Sequence, residues 1–272
     1  MDTYLFHPVE FERLYNCSTY SVEDVPLEQR QHIALGSVFL ILFTLFELLY
    51  IPCLVAISRH LHNACYKFMF YLGVIDVACM FVCGLLTGYL AVTGAVYCSH
   101  PQLIYFGGVV GNLLWVIEST TSICLALNRC VEMSSNHYGR MLYDGKRTWL
   151  WMVPPTVYGL LFVWFTKPVC FSGIYMAWFF NPHVGYVDDA GTAYYNLIHS
   201  AHNNVILFGL SGLYLTFAVL LVSKTASLTS LTSAAPTSLA SNERIRGQKM
   251  VDILLLRIMA KYLCNYFSPS SK

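Results

Sequence analysis

The sequence predicts an all-α integral membrane protein with five transmembrane helices and a C-terminal amphipathic segment. Its 272 residues are 56% apolar and only 11% charged, whereas soluble domains carry about 25% charged residues. The apolar residues gather into five runs, each close to the length of about 20 residues that crosses a bilayer as a helix. Lys and Arg are concentrated on one side of these runs.

The chain divides into a tail, a membrane domain and a C-terminal part. Residues 1–32 contain several acids and lack the apolar core of a signal peptide. The membrane domain, residues 33–222, holds the five runs 33–57, 68–95, 103–128, 149–170 and 205–222. Because lipid offers no partners to backbone polar groups, these runs are predicted to be helices. Pro154 and Pro155 predict a kink in the fourth.

The C-terminal part changes character after the fifth run. Residues 223–249 begin with a stretch rich in Ser, Thr and Ala, which predicts a flexible cytoplasmic segment. Within residues 250–272, the apolar stretch 250–267 carries Asp252, Arg257 and Lys261 four or five residues apart. We favour an amphipathic helix on the inner leaflet, and the alternative is the stump of a sixth span.

Lys and Arg predict the orientation, because cytoplasmic loops carry an excess of them. With the N-terminus outside, ten lie in inner segments and three in outer segments. The inner ten are Arg59, Lys67, Arg129, Arg140, Lys146, Arg147, Lys224, Arg244, Arg246 and Lys249, and the outer three are Arg13, Arg30 and Lys167. We therefore expect a multi-pass protein with its N-terminus outside and its C-terminus in the cytoplasm.

The predicted outer side carries two kinds of modifiable residue. Asn16, Cys17 and Ser18 form an acceptor for N-glycosylation at Asn16. Cys17, Cys98 and Cys170 are the cysteines expected to face the oxidising side, where disulfides form. Their spacing does not determine which two of them pair.

Three acids, Glu47, Asp76 and Glu118, lie inside the runs, where each charge costs about 2.5–3.5 kcal/mol. Glu118, Ser122 and Arg129 share a helix face because they are four and seven residues apart. We predict that Glu118 faces Asp76, with one of the two protonated or a cation between them. We favour a hydrogen-bond network that holds the helices together, and the alternative is a cation or proton site used in switching.

Asn128, Arg129 and Cys130 end the third run on the inner side. The helix dipole and the lipid phosphates account for an arginine at this position. The alternative is that Arg129 contacts a cytoplasmic partner.

The sequence predicts neither an enzyme nor a cofactor or metal site. It contains no CxxC pair, no Cys and His set with zinc spacing, no glycine-rich phosphate loop and no nucleophile elbow. His199 and His202 form a single HxxH pair, which is too few ligands for a membrane metal centre.

Several stretches resemble the serpentine receptor class T family of nematode G-protein-coupled receptors. They are residues 15–18, 49–53, 65–67, 72–76, 87–91, 94–99, 127–130, 147–149 and 175–180, followed by 195–204. Any one of them is unspecific, but their order and spacing are similar to the family from about residue 15 to residue 222.

The resemblance implies a rhodopsin-like seven-helix bundle in the plasma or ciliary membrane. Such a receptor would detect a small chemical ligand and signal through a heterotrimeric G protein. Asp76 resembles the inner acid of the second helix, and Arg129 resembles the arginine of the third-helix motif, although Asn128 stands where an acid usually precedes it. Because Cys17 and Cys98 both lie in similar stretches, the resemblance favours a Cys17–Cys98 disulfide over the alternative Cys98–Cys170.

Nothing after residue 222 resembles the sixth and seventh helices of the family. We therefore expect a truncated receptor, whether an isoform, a decayed gene or a faulty gene model. Such a chain is expected not to signal alone and to associate with related receptors. The alternative function is a small membrane transporter or channel subunit that uses Glu47, Asp76 and Glu118, although the internal repeat common in transporters is not seen.

Overall fold

A computed structural model describes residues 1–18, 21–185 and 193–232, with side chains up to residue 226. Within these residues, five helical segments are long and apolar enough to cross a membrane. They are Leu27–Ser58, Ala64–Thr93, Pro101–Ser134, Arg147–Phe165 and Leu197–Ala226. Each overlaps one predicted run, so the prediction of a helical membrane protein with five spans is confirmed.

The helices follow the chain in a simple order. The tail forms α1 (Asp2–Phe6), α2 (Pro8–Tyr15), a 3-10 turn (Val22–Asp24) and α3 (Leu27–Arg30). The first two spans are α4 (Ile33–Ser58), then α5 (Ala64–Met80), a π-helical segment (Phe81–Leu86) and α6 (Thr87–Thr93). The third is α7 (Pro101–Ser134), after the 3-10 turn Tyr97–Ser99, and α8 (Asn136–Tyr143) and α9 (Arg147–Leu150) lead to the fourth, α10 (Val153–Phe165). Two strands, β1 (Cys170–Ser172) and β2 (Ala177–Phe179), precede α11 (Leu197–Thr232), which contains the fifth.

Helix α7 lies at the centre of the bundle and packs against α5, α10 and α11. Its buried residues include polar ones, Asn112, Ser119, Thr121 and Asn128. Helix α4, in contrast, leaves its apolar side chains exposed along most of its length. We call the end of the bundle that carries the tail the outer end and the opposite end the inner end.

The second span contains a π-helical segment that the sequence analysis did not predict. The side chain of Thr87 donates a hydrogen bond to the carbonyl of Val82 at 2.9 Å, five residues back. Nearby, the first two spans approach closely, since a Cβ added to Gly36 would lie 2.8 Å from the carbonyl oxygen of Gly88. Small residues permit such close contacts between membrane helices.

The fourth span differs from the prediction in two ways: it contains a break, and it ends earlier. Helix α9 stops at Leu150, and α10 restarts at Val153 with a proline in its first turn, where the missing N–H group has no helical partner to lose. The predicted kink is thus a break between two helices. The span ends at Phe165 rather than at Cys170, because the backbone is extended at Thr166 and Cys170 lies in β1.

Helix α11 continues through Thr232 and so extends ten residues past the predicted end of the membrane domain at residue 222. The first part of the predicted flexible segment is therefore helical. The rest of that segment and the predicted amphipathic helix lie outside the described residues.

Candidate functional site

The N-terminal tail packs over the outer end of α7 through aromatic rings. Tyr4, Phe11 and Tyr15 lie 5.5, 5.3 and 5.2 Å from Tyr105, measured between ring centroids. The hydroxyl of Tyr194 donates a hydrogen bond to the carbonyl of Leu14 at 2.7 Å, which joins the tail to the segment before α11. The tail therefore covers the outer end of the bundle.

A disulfide joins the tail to the start of α7. Cys17 is bonded to Cys98, with a Cα–Cα distance of 5.5 Å, whereas Cys170 is a buried free thiol. Burial raises the pKa of the Cys170 thiol well above its ordinary value. Because thiol–disulfide exchange requires a thiolate, Cys170 is poorly suited to displace either partner of the bond.

The hairpin of β1 and β2 forms the second part of the outer cover. The strands are antiparallel, with Phe171 opposite Trp178, and Phe171 is fully buried. The indole nitrogen of Trp178 donates to the hydroxyl of Thr87 at 3.0 Å. This hydrogen bond turns Trp178 towards the second span, a contact that the sequence analysis did not predict.

Below this cover lies a group of six side chains from α7, α10, α11 and the segment after β2, which we call the histidine–aromatic cluster. Its members are Trp115, Tyr158, Phe162, Phe180, His199 and His202. The ring of His199 lies 4.7 Å from that of Trp115, tilted by 30°, and 4.9 Å from that of Phe180, at 75°.

His202 links three membrane spans by hydrogen bonds. Its Nε2 lies 3.0 Å from the Oγ of Ser119, and its Nδ1 lies 3.1 Å from the hydroxyl of Tyr158. The Ser119 hydroxyl is within reach of the carbonyls of Trp115 and Val116, at 2.8 and 3.0 Å. If its single hydrogen goes to one of them, Ser119 accepts from Nε2–H and Tyr158 donates to Nδ1, so all three polar groups are satisfied by one tautomer.

The predicted intramembrane network consists of Asp76 on the second span and of Glu118 and Ser122 on the third. The hydroxyl of Tyr50 donates to a carboxylate oxygen of Asp76 at 2.9 Å, which joins the first two spans. Glu118 and Ser122 are half-buried on α7. The pairing of Glu118 with Asp76 stays a prediction. Ser119, which was not part of the predicted network, makes the hydrogen bond to a distant span.

At the inner end, Asn128, Arg129 and Glu132 form one connected group. The guanidinium of Arg129 lies 2.7 Å from a carboxylate oxygen of Glu132. The side chain of Asn128, fully buried, accepts from Arg129 at 2.7 Å and donates to Glu132 at 3.0 Å. The thiol of Cys130 donates to the carbonyl of Leu213 at 3.3 Å, so the third motif residue contacts α11.

Sequence reasoning missed Glu132. It sought an acid immediately before Arg129 and found Asn128, whereas the acid lies one turn later, at a spacing that brings helical side chains together. The signal was therefore present in the sequence.

Replacing Glu132 with glutamine should lower the free energy of unfolding by about 1 kcal/mol, because it removes the charge from a half-buried pair that is also hydrogen-bonded to Asn128. Thermal unfolding in detergent would measure the loss. Glu10→Gln is the matched control, since its pair with Arg13 is exposed and 3.9 Å long, and its effect should stay below about 0.5 kcal/mol. Equal losses in the two variants would contradict a stabilising role for the half-buried pair of Arg129 and Glu132.

Comparison with known proteins decides the family. The sequence matches the family model described as serpentine type 7TM GPCR chemoreceptor Srt over residues 2–243. The chain belongs to the Srt family. It is also similar to serpentine receptor class T-55 of Caenorhabditis elegans, with 26% identity over 166 residues, which cover 61% of the Srt chain and 45% of the relative.

The family match confirms the resemblance found in the sequence and a chemoreceptor-like membrane protein. It also corrects one point, because it continues past residue 222, where the resemblance had been judged to end. The Srt chain spans less than half the length of the relative it matches. The family is one of GPCR-type chemoreceptors, a class not known as enzymes.

Proposed function

We propose that this Srt chain binds a small chemical ligand at its outer end and, together with a related receptor, communicates with a heterotrimeric G protein at its inner end. The observation that carries the proposal is the hydrogen-bonded group of Ser119, His202 and Tyr158, which joins three spans in one place. A molecule that moves His202 would act on α7, α10 and α11 together.

The outer end has the composition of a small-molecule site. Such sites are mostly apolar and aromatic, with a few placed polar groups. The histidine–aromatic cluster fits this description, and the tail and the hairpin cover it.

The inner end offers a surface for a partner protein. Helix α7 runs without interruption from Trp115, in the cluster, to Arg129 and Glu132. Beyond it, α8 exposes Tyr138 and Met141. This apolar surface lies beside Arg129, which is fixed by its contacts with Asn128 and Glu132. Such a surface is suited to protein binding, since exposed apolar patches commonly mark interaction sites.

His202→Phe tests the proposal. Cells that express the chain, alone or together with serpentine receptor class T-55, would be screened with a panel of small molecules for G-protein activation. We expect His202→Phe to raise the half-maximal concentration at least tenfold, because it removes both hydrogen bonds of the ring, each worth about 1 kcal/mol. His137→Phe on exposed α8 is the control for expression. No response to any molecule, or equal responses of wild type and His202→Phe, would contradict the proposal.

We also propose that the tail faces the outside and that Lys146 and Lys224 are cytoplasmic, as the distribution of Lys and Arg predicts. Asn16 should then carry a glycan in cell-made protein. Glycosidase treatment should lower the mass, and Asn16→Gln should abolish the shift. Labelling of a cysteine introduced at Lys146 by an impermeant reagent added outside intact cells would contradict this orientation.

A further inference from the structure

We infer that the histidine–aromatic cluster takes small uncharged molecules with a flat apolar body and one hydrogen-bond acceptor, such as aromatic ketones, aldehydes and esters. This inference rests on the proposed function, since it names the ligand class of the same site. It starts from two buried polar atoms that have no hydrogen-bond partner among the described residues, Nδ2 of Asn196 and Nδ1 of His199. Buried polar groups without partners are rare in folded proteins, and each requires an explanation.

The position of Asn196 fixes which of its atoms is unpartnered. It immediately precedes α11, and its Oδ1 accepts a hydrogen bond from the backbone N–H of His199 at 3.0 Å, as an N-cap residue does. The oxygen must face this N–H group, because an amide nitrogen in its place would set two donors against each other. The free atom is therefore a donor, and Asn196 is only 8% exposed.

His199 lies three residues after Asn196, on the same face of the first turn of α11. Its Nδ1 can donate or accept, depending on the tautomer, so it places no further restriction on the ligand. The Nδ2 donor of Asn196 does restrict the ligand, because it requires a hydrogen-bond acceptor such as a carbonyl oxygen.

The neighbouring side chains determine the shape of the ligand. The ring of Trp115 is tilted by 30° to that of His199, and Phe180 meets the His199 ring edge-on. Phe162 lies 6.3 Å from Trp115 and 5.7 Å from His202. Aromatic walls at these separations favour flat apolar groups, which stack or pack edge-to-face against them.

The charges near the cluster disfavour an anionic ligand, because Glu118 lies next to Ser119 on α7. The ion pair of Arg13 with Glu10 lies in the tail, and that of Arg129 with Glu132 lies at the inner end. Lys167, which follows α10, is hydrogen-bonded to the carbonyl of Ala193 and lies 5.8 Å from the ring of Tyr194. A carboxylate buried without a cationic partner is very costly, so a carboxylate would bind poorly.

Three probes of similar size test the ligand class. Acetophenone carries a carbonyl, α-methylstyrene has the same shape with a methylene in place of the oxygen, and benzoate is charged. Dissociation constants would be measured by ligand-observed NMR with the chain in lipid nanodiscs. We expect acetophenone to bind about five- to tenfold more tightly than α-methylstyrene, as one hydrogen bond provides, and benzoate not to bind.

Asn196→Ser separates the donor from the fold. Serine keeps an oxygen that can cap α11 and removes the amide donor. The serine hydroxyl can donate, but it is one atom closer to the backbone than Nδ2 and does not reach the acceptor of the ligand. The preference for acetophenone should therefore disappear while α-methylstyrene binds as before. Asn136→Ser, an exposed position at the start of α8, is the matched control and should retain the preference.

Equal binding of acetophenone and α-methylstyrene to the wild type would overturn the inference and leave a water molecule as the partner of Asn196. A preference that survives Asn196→Ser would overturn it as well, as would binding of benzoate alone or of none of the three probes. The proposed function is tested by a different experiment. It would be contradicted if no molecule in the panel screened for G-protein activation gave a response that depends on His202.

Discussion

Replacing either Cys17 or Cys98 with serine should reduce the free energy of unfolding by about 4 kcal/mol. The bond closes a loop between residues 81 apart in the sequence, and the loss of chain entropy in the unfolded state grows with the length of such a loop. The tail should also become more accessible to proteases, since its other attachments to the bundle are non-covalent. Thermal unfolding and limited proteolysis of the purified chain would measure the two effects.

The cysteine variants provide their own controls. Because one bond is lost in each case, the two single variants and the double variant should be destabilised equally. Cys53→Ser, at an exposed free cysteine, should change stability by less than about 0.5 kcal/mol. A Cys98–Cys170 peptide in a non-reducing digest, or different losses in the two single variants, would contradict the bond.

Gly108→Ala should destabilise the chain by about 3 kcal/mol, at the upper end of the usual range for overpacked sites. A Cβ at this position would lie 1.7 Å from the carbonyl oxygen of Val169, an atom of the backbone that leads into the hairpin. The backbone must therefore move, and the contact between α7 and β1 must open.

Gly212→Ala is the matched control for Gly108→Ala. It makes the same change in α11, where no atom lies within 4 Å of the added Cβ, and alanine is the better helix former by up to about 1 kcal/mol. Thermal unfolding should therefore show a loss for Gly108→Ala and no loss for Gly212→Ala. A similar loss in both variants would mean that the contact with Val169 is unimportant.

The five spans could be predicted because the length and the apolar character of a membrane helix are local properties of the sequence. The ends of some spans were predicted less accurately, because tertiary contacts determine where those helices end. Phe171 and Trp178 lie outside the five predicted runs, and the sequence analysis assigned them no structural role. The hairpin forms because Phe171 is buried in the core and Trp178 finds a hydrogen-bond partner in Thr87, a contact that spans 91 residues of sequence.

In the candidate site, too, local contacts could be predicted from the sequence and contacts between distant residues could not. The HxxH pair was noticed, but its partners could not be inferred, since Ser119 is 83 residues from His202 and Tyr158 is 44 residues from it. The pair of Arg129 and Glu132 lies within one helical turn and could have been predicted. It was missed because the family pattern drew attention to the residue before the arginine rather than to the turn after it.

The bond between Cys17 and Cys98 has a consequence for how the chain is made. The residues between them contain the first two membrane helices, so the bond can close only after both helices have been inserted and Cys98 has reached the same compartment as Cys17. In an inverted chain both thiols would meet the reducing cytosol and stay unpaired. With the tail outside, as proposed above, formation of the bond would therefore require correct insertion of the first two membrane helices. Cleavage of the short loop between them, residues 59–63, should leave the two fragments joined until a reductant is added.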